Sequence, residues 1–108
     1  MTLVTGAQLK VNQQRTEAGA VFVLTGEIDM ATAGELRAAA AEALASAPDR
    51  ITLDFAGVTF CDSQGLSTLI AINREATQSG SRLVLVHVGD FMSRLFDITG
   101  LRAAFEFE

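Results

Sequence analysis

The sequence has no tryptophan or tyrosine, and only one cysteine, one histidine, one proline and one lysine. Each scarcity excludes something. A single cysteine, Cys61, cannot close an internal disulfide, which fits a reducing compartment. One histidine with no second histidine or cysteine makes a poor metal site, so none is expected. With one lysine and seven scattered arginines against 13 acidic residues, the net charge is −5. A nucleic-acid partner is therefore not expected, because phosphate contacts need a concentrated basic surface. No basic segment followed by an apolar run opens the chain, so no secretory leader is expected. The longest bulky apolar run, Leu83 to Val88, is broken by His87 and is far too short to cross a bilayer. A cytoplasmic protein is the expectation.

Catalytic and cofactor signatures are missing too. There is no GxGxxG, GxxxxGK[ST], HExxH, GxSxG or CxxC pattern. A nucleotide-binding reading lacks a phosphate-cradling loop. A triad of Ser63, His87 and Asp62 lacks anything to orient the histidine or mark an oxyanion hole. His87 reads as a hydrogen-bonded or strand-edge residue. A protein that is not an enzyme and carries no cofactor is expected.

What the chain does have is apolar patterning. Hydrophobic residues make up 49% of its 108 residues, too many for a disordered chain and the right number for one small domain. Leu9, Val11 and Gln13 alternate with polar residues and predict a first strand; Glu17-Ala18-Gly19 is a turn, and Val21 to Leu24 a second strand. Leu36, Ala40, Ala43, Leu44 and Ala47 recur at helical spacing, predicting a helix from Thr32 to Ala47. Thr32 and Glu35 form a capping box there, and Pro48 follows the end. Ile51 to Phe55 is a third strand. Asp62 or Ser63 opens a second helix running to about Gln78, with Leu66, Leu69, Ile70 and Asn73 on one side and Gly80 past its end. Leu83 to Val88 predicts a strand buried on both faces. Asp90 caps a short third helix carrying Met92, Leu95 and Phe96 and stopping near Gly100. Ala104 to Phe107 is a last strand. The order β-β-α-β-α-β-α-β predicts a partly parallel sheet with helices packed on it.

One segment stands out: Val58-Thr59-Phe60-Cys61-Asp62-Ser63-Gln64-Gly65-Leu66. Asp and Ser are ordinary helix caps. Here Asp62 suits the cap, so Ser63 falls at the first helical position with its hydroxyl free. Gly65 costs about 1 kcal/mol against alanine in a helix, which suggests that something approaches its backbone closely.

Together with Gly26-Glu27-Ile28-Asp29 upstream, Leu53-Asp54-Phe55, and Leu95-Phe96-Asp97-Ile98-Thr99-Gly100-Leu101 downstream, this segment resembles the STAS domain. The likeness is to its bacterial anti-sigma factor antagonist branch, and it covers nearly the whole chain as one domain, 1–108. The resemblance implies a mixed sheet with helices on one face and a role in partner switching. The unphosphorylated antagonist binds an anti-sigma factor, a serine kinase with a GHKL-type ATP site, and so frees a sigma factor for transcription. The kinase phosphorylates the antagonist and disarms it; a serine phosphatase reverses the step. Carried over by position, Ser63 is the phosphoacceptor, Asp62 the adjoining acid, and Asp29 an acid of the neighbouring loop in the docking surface. Gln64, Gly65 and Leu66 complete the motif. Two positions depart from the family: Gln64 stands where Ser or Thr is usual, and Ser67 where Gly is frequent. The chain ends just after its last predicted strand, where many members add a helix. A second reading is a STAS scaffold in a stress-signalling complex or a lipid transporter.

Two neighbours of the motif carry further expectations. Cys61 reads as a small buried strand residue, against a redox gate. Met92, Leu95 and Phe96 have core spacing, and Met92, nearest the helix start, is the one expected to be exposed to a partner.

Overall fold

The computed structural model describes residues 8–108; the opening segment, read above as no leader, lies outside the described residues. The strands are β1 (Leu9–Thr16), β2 (Gly19–Ile28), β3 (Arg50–Cys61), β4 (Arg82–Val86) and β5 (Glu106–Phe107). The helices are α1 (Ala33–Leu44), α2 (Ser63–Gln78) and α3 (Asp90–Thr99), with a 3-10 turn at Arg102–Ala104 before β5. The element order is the one the sequence predicts.

The strands lie side by side in chain order, β1-β2-β3-β4-β5. β1 and β2 form an antiparallel hairpin in which Thr16 pairs with Gly19. Gly19 has φ +142°, and a Cβ there would meet the Arg50 carbonyl oxygen at 1.9 Å, so only glycine fits this turn. From β2 onward every pair is parallel. Parallel neighbours need a crossover, and crossovers are almost always right-handed. A sheet that steps steadily in one direction therefore receives all three helices on one face.

That face holds the core. Phe22 and Leu24 of β2, Ile51, Leu53 and Phe55 of β3, and Leu83 and Leu85 of β4 are buried with Leu36 of α1, Leu69 and Ile72 of α2, and Met92 and Phe96 of α3. Phe96 packs its ring against Phe105 and Phe107 at 5.3 Å each, fixing α3 to the last strand. The opposite face carries no helix. Val84 and Thr52 are nevertheless buried on it. Arg50 reaches across to Glu108 at 2.6 Å and to Thr52, and Arg82 pairs with Glu106 beside it. β4 is thus buried on both faces, as its continuous apolar run implies.

Several local expectations are overturned. The capping box does not form. Thr32 stands at the α1 N-cap, but its hydroxyl donates to the Glu27 carbonyl (2.8 Å) and accepts from the Asp29 N–H (2.9 Å). The β2–α1 loop consumes the hydroxyl that the helix would have used. α1 ends at Leu44 rather than Ala47, which has φ +49°. Asp90 does not cap α3: Gly89 is the N-cap, with no side-chain bond, and Asp90 is the first helical residue. β4 stops at Val86, so His87 lies outside the strand, exposed, at φ +55°. Its Nδ1 sits 3.0 Å from Asp54 Oδ1, and this pairing, not a triad, is what the structure gives the one histidine.

Candidate functional site

The parallel strands β2 and β3 end side by side, Ile28 in register with Cys61, while β4 stops at Val86 beside Asp54, well before the end of β3, and the start of α3 reaches back so that Phe91 stacks on Phe60. In open α/β sheets the carboxyl edge is where function collects. Asp29 follows β2, Asp62 and Ser63 follow β3, and Asp90 follows β4.

Asp62 joins two of these elements. Its Oδ1 accepts the Gly65 N–H at 2.8 Å, capping α2, and its Oδ2 accepts the Met30 N–H at 3.3 Å. Its backbone N–H donates to the Ile28 carbonyl at 3.1 Å. One carboxylate therefore satisfies an orphan amide of α2 and ties the β2–α1 loop to it. Ser63 is the first residue of α2 and is exposed; among the described residues its hydroxyl makes no hydrogen bond. It sits where backbone amides and the helix dipole favour negative charge.

Asp29 is half-buried, and its Oδ1 accepts the N–H groups of Ala31 (2.9 Å) and Thr32 (3.2 Å). It shapes the loop that carries Met30. Gln64 is exposed beside Ser63. Gly65 and Leu66 are buried and face the core. A Cβ on Gly65 would lie 2.5 Å from the Ile28 carbonyl oxygen and 2.6 Å from Cys61 Sγ. The close approach that this glycine signalled is the protein's own sheet, not a visitor.

Met92 is 1% exposed, contrary to expectation; Phe91, one residue earlier, is 46% exposed. Sequence reasoning also passed over Phe60 and Met30, 41% and 78% exposed. The signal for Phe60 was the strand alternation: Cys61 points into the core, so its neighbour points out.

Cys61 is buried, and burial, followed by the nearby Asp62 charge, pushes its thiol up to about 12. The thiolate is the reactive form, so this cysteine is expected to react slowly while the protein is folded. The expected result with a thiol-labelling reagent at pH 8 is labelling at least about 100-fold slower in native protein than in urea-unfolded protein, since access needs opening. Equal rates would restore the redox reading.

Among the described residues, no group of acids, histidine and cysteine could hold a metal, and no helix is long and apolar enough to cross a membrane.

Comparison with known proteins agrees with this architecture. Residues 11–105 match the family model described as Mlab, STAS domain. The anti-sigma-B factor antagonist of Listeria monocytogenes is 31% identical over 93 residues, covering 86% of this chain and 81% of that protein. That of Staphylococcus aureus is 30% identical over 77 residues, covering 71% of each. A crystal structure of an anti-sigma factor antagonist from Mycobacterium paratuberculosis superposes with a TM-score of 0.82 at 27% identity, covering 93% of this chain and 85% of that one. Fold, site geometry and relatives converge: the chain belongs to the STAS domain family, which includes these anti-sigma factor antagonists.

Proposed function

We propose that residues 1–108 act as one STAS domain, an anti-sigma factor antagonist that works by binding and carries out no chemistry of its own. The unphosphorylated form binds an anti-sigma factor that is a GHKL-type serine kinase, and the bound kinase lets go of its sigma factor. Phosphorylation of Ser63 ends the binding, and a serine phosphatase restores it. The surface that docks comprises Ser63 with Asp29, Asp62 and Gln64; Gly65, Leu66 and Met92 support it from beneath.

The observation that carries this reading is the division of labour at the start of α2. Asp62 takes the cap, which leaves the Ser63 hydroxyl exposed and uncommitted on an N-terminal turn that tolerates an anion. A serine needed for capping could not be modified without loosening its helix. This one can.

The test uses the GHKL-type anti-sigma factors of the source genome, purified one by one and mixed with the protein and MgATP. One of them is expected to place a single phosphate on Ser63, mapped by mass spectrometry, and to place none on Ser63→Ala. Absence of transfer by every kinase, or equal transfer to the Ala variant, would sink the reading.

A second reading has one observation in its favour: the matching family model has a name of its own, Mlab, distinct from that of the antagonists. Under it the domain is a scaffold in a stress-signalling complex or a lipid transporter, and Ser63→Asp would leave its partners unchanged.

A further inference from the structure

The protein exposes four large apolar side chains among its described residues: Met30, Phe60, Phe91 and Ile98. Scattered singly, such residues need no explanation. Three of these four are not scattered. Met30 follows the end of β2, Phe60 is the penultimate residue of β3, and Phe91 is the second residue of α3. Phe60 and Phe91 stack on each other near the end of β3, and Met30 lies in the loop that Asp62 ties to that end, so the three make a row around the Ser63 element.

The row is built. Phe60 and Phe91 stack with ring centroids 6.1 Å apart and planes 30° apart, so each aromatic holds the other in place. The loop that presents Met30 is held by the Asp62 carboxylate through the Met30 backbone N–H, while the side chain itself projects into solvent. Aromatic and methionine side chains are the usual anchors of a protein interface.

The charge around the row has one dominant sign. Glu27 pairs in register with Phe60, Asp29 precedes Met30, Asp62 lies between the two elements, and Asp90 precedes Phe91. None of these four acids is in an ion pair among the described residues. Arg94, the nearest base along α3, lies about a turn beyond Phe91 and is likewise in no ion pair among the described residues.

We infer that Met30, Phe60 and Phe91 are the apolar anchors of the docking surface, and that they fit a protein partner presenting an apolar depression rimmed by lysine and arginine. The inference rests on the proposed function and names the contacts that would carry it. A basic rim and a phosphate-sensitive centre are compatible because they act at different places. Glu27 and Asp90, beside the anchors Phe60 and Phe91, meet the partner's bases. A kinase that modifies Ser63 must bring a nucleotide's terminal phosphate to that hydroxyl, so a phosphate left there faces another.

The experiment measures the affinity of the anti-sigma factor identified above for wild type, for Phe60→Ser/Phe91→Ser, for Met30→Ser and for Ser63→Asp, at low and high salt. Thermal melting serves as the fold control; the anchors are solvent-exposed, so their variants should melt like wild type. Loss of buried anchors at an interface weakens binding roughly 30-fold or more, and that is the result expected for the double variant. Wild-type affinity is also expected to fall as salt rises. If Ser63→Asp abolishes binding while the Phe and Met variants bind like wild type, the anchors are wrong and the switch stands. If wild type binds none of the anti-sigma factors, the function and the anchors fall together.

Discussion

Ser63→Asp is expected to lower affinity for the anti-sigma factor by about 30- to 5,000-fold while leaving the melting temperature within a few degrees of wild type. The first part follows from burying an unpaired charge at an interface, which costs about 2–5 kcal/mol. True phosphorylation should cost more than Asp, because a phosphoserine brings about −1.5 to −2 charges at pH 7. The second part follows from where the charge lands. Ser63 opens α2, and an anion in that first turn gains about 0.3–1 kcal/mol from the helix dipole. Asp62 beside it repels, but both of its oxygens already accept backbone N–H bonds. The two effects on folding offset each other, whereas nothing offsets the effect on docking. Titration calorimetry with the purified anti-sigma factor, paired with a thermal melt followed by circular dichroism, separates the two. A variant that melts far earlier would make unfolding the mechanism. One that binds like wild type would remove Ser63 from control and favour the scaffold reading.

The local geometry of the candidate site was legible in sequence because it depends on adjacent residues. A helix start with Asp then Ser leaves one way to share the work, and Asp62 does accept the Gly65 N–H while Ser63 stays free. The element order was legible for a similar reason: period-2 and period-3.6 patterns alternate along the chain.

What was not legible depended on partners distant in sequence. Thr32 has the spacing of a capping box with Glu35, but the Glu27 carbonyl and the Asp29 N–H claim its hydroxyl. No local rule sees that competition. β3 extends to Cys61, well past Phe55, because it follows β2 through register shifts between Val23 and Thr25 and between Gly26 and Glu27. Such irregularities depend on the partner strand. In α3, Phe91, Leu95 and Ile98 make one apolar stripe, and Met92 and Phe96 another. Periodicity alone cannot choose which faces in. The sheet chose the second, with Phe96 set between Phe105 and Phe107, and left Phe91 and Ile98 outside. That choice turned the expected anchor Met92 into core and placed Phe91 beside Phe60.

Gly65→Ala and Gly34→Ala are the same substitution in helices of one protein, and opposite results are expected. Gly34 lies in the first turn of α1, is exposed, and a Cβ there meets nothing within 4 Å. Alanine should stabilise by roughly 0.5–1 kcal/mol, through helix propensity and a less flexible unfolded chain. Gly65 would gain a similar propensity, but its Cβ would stand 2.5 Å from the Ile28 carbonyl oxygen, 2.6 Å from Cys61 Sγ and 3.0 Å from Ile28 Cγ2. The nearest of these is backbone, held in place by the Asp62 N–H bond to that same carbonyl. α2 must therefore move away from the sheet, and overpacking of this kind costs about 1–3 kcal/mol and occasionally more. The net expectation for Gly65→Ala is a loss of about 1–2 kcal/mol, roughly 4–16 °C in melting temperature for a domain of this size. Gly65→Val should lose more still, since it adds branched bulk against the same backbone oxygen. Denaturant titrations of the two alanine variants test this directly. If Gly65→Ala proved as stabilising as Gly34→Ala, α2 would have room to shift, and the close packing of its first turn would not be what fixes Ser63. If Gly65→Ala is destabilised as expected and also binds the anti-sigma factor more weakly than its folded fraction explains, the glycine sets the height of Ser63 above the sheet. Burial, rather than contact, would then be how it serves the site.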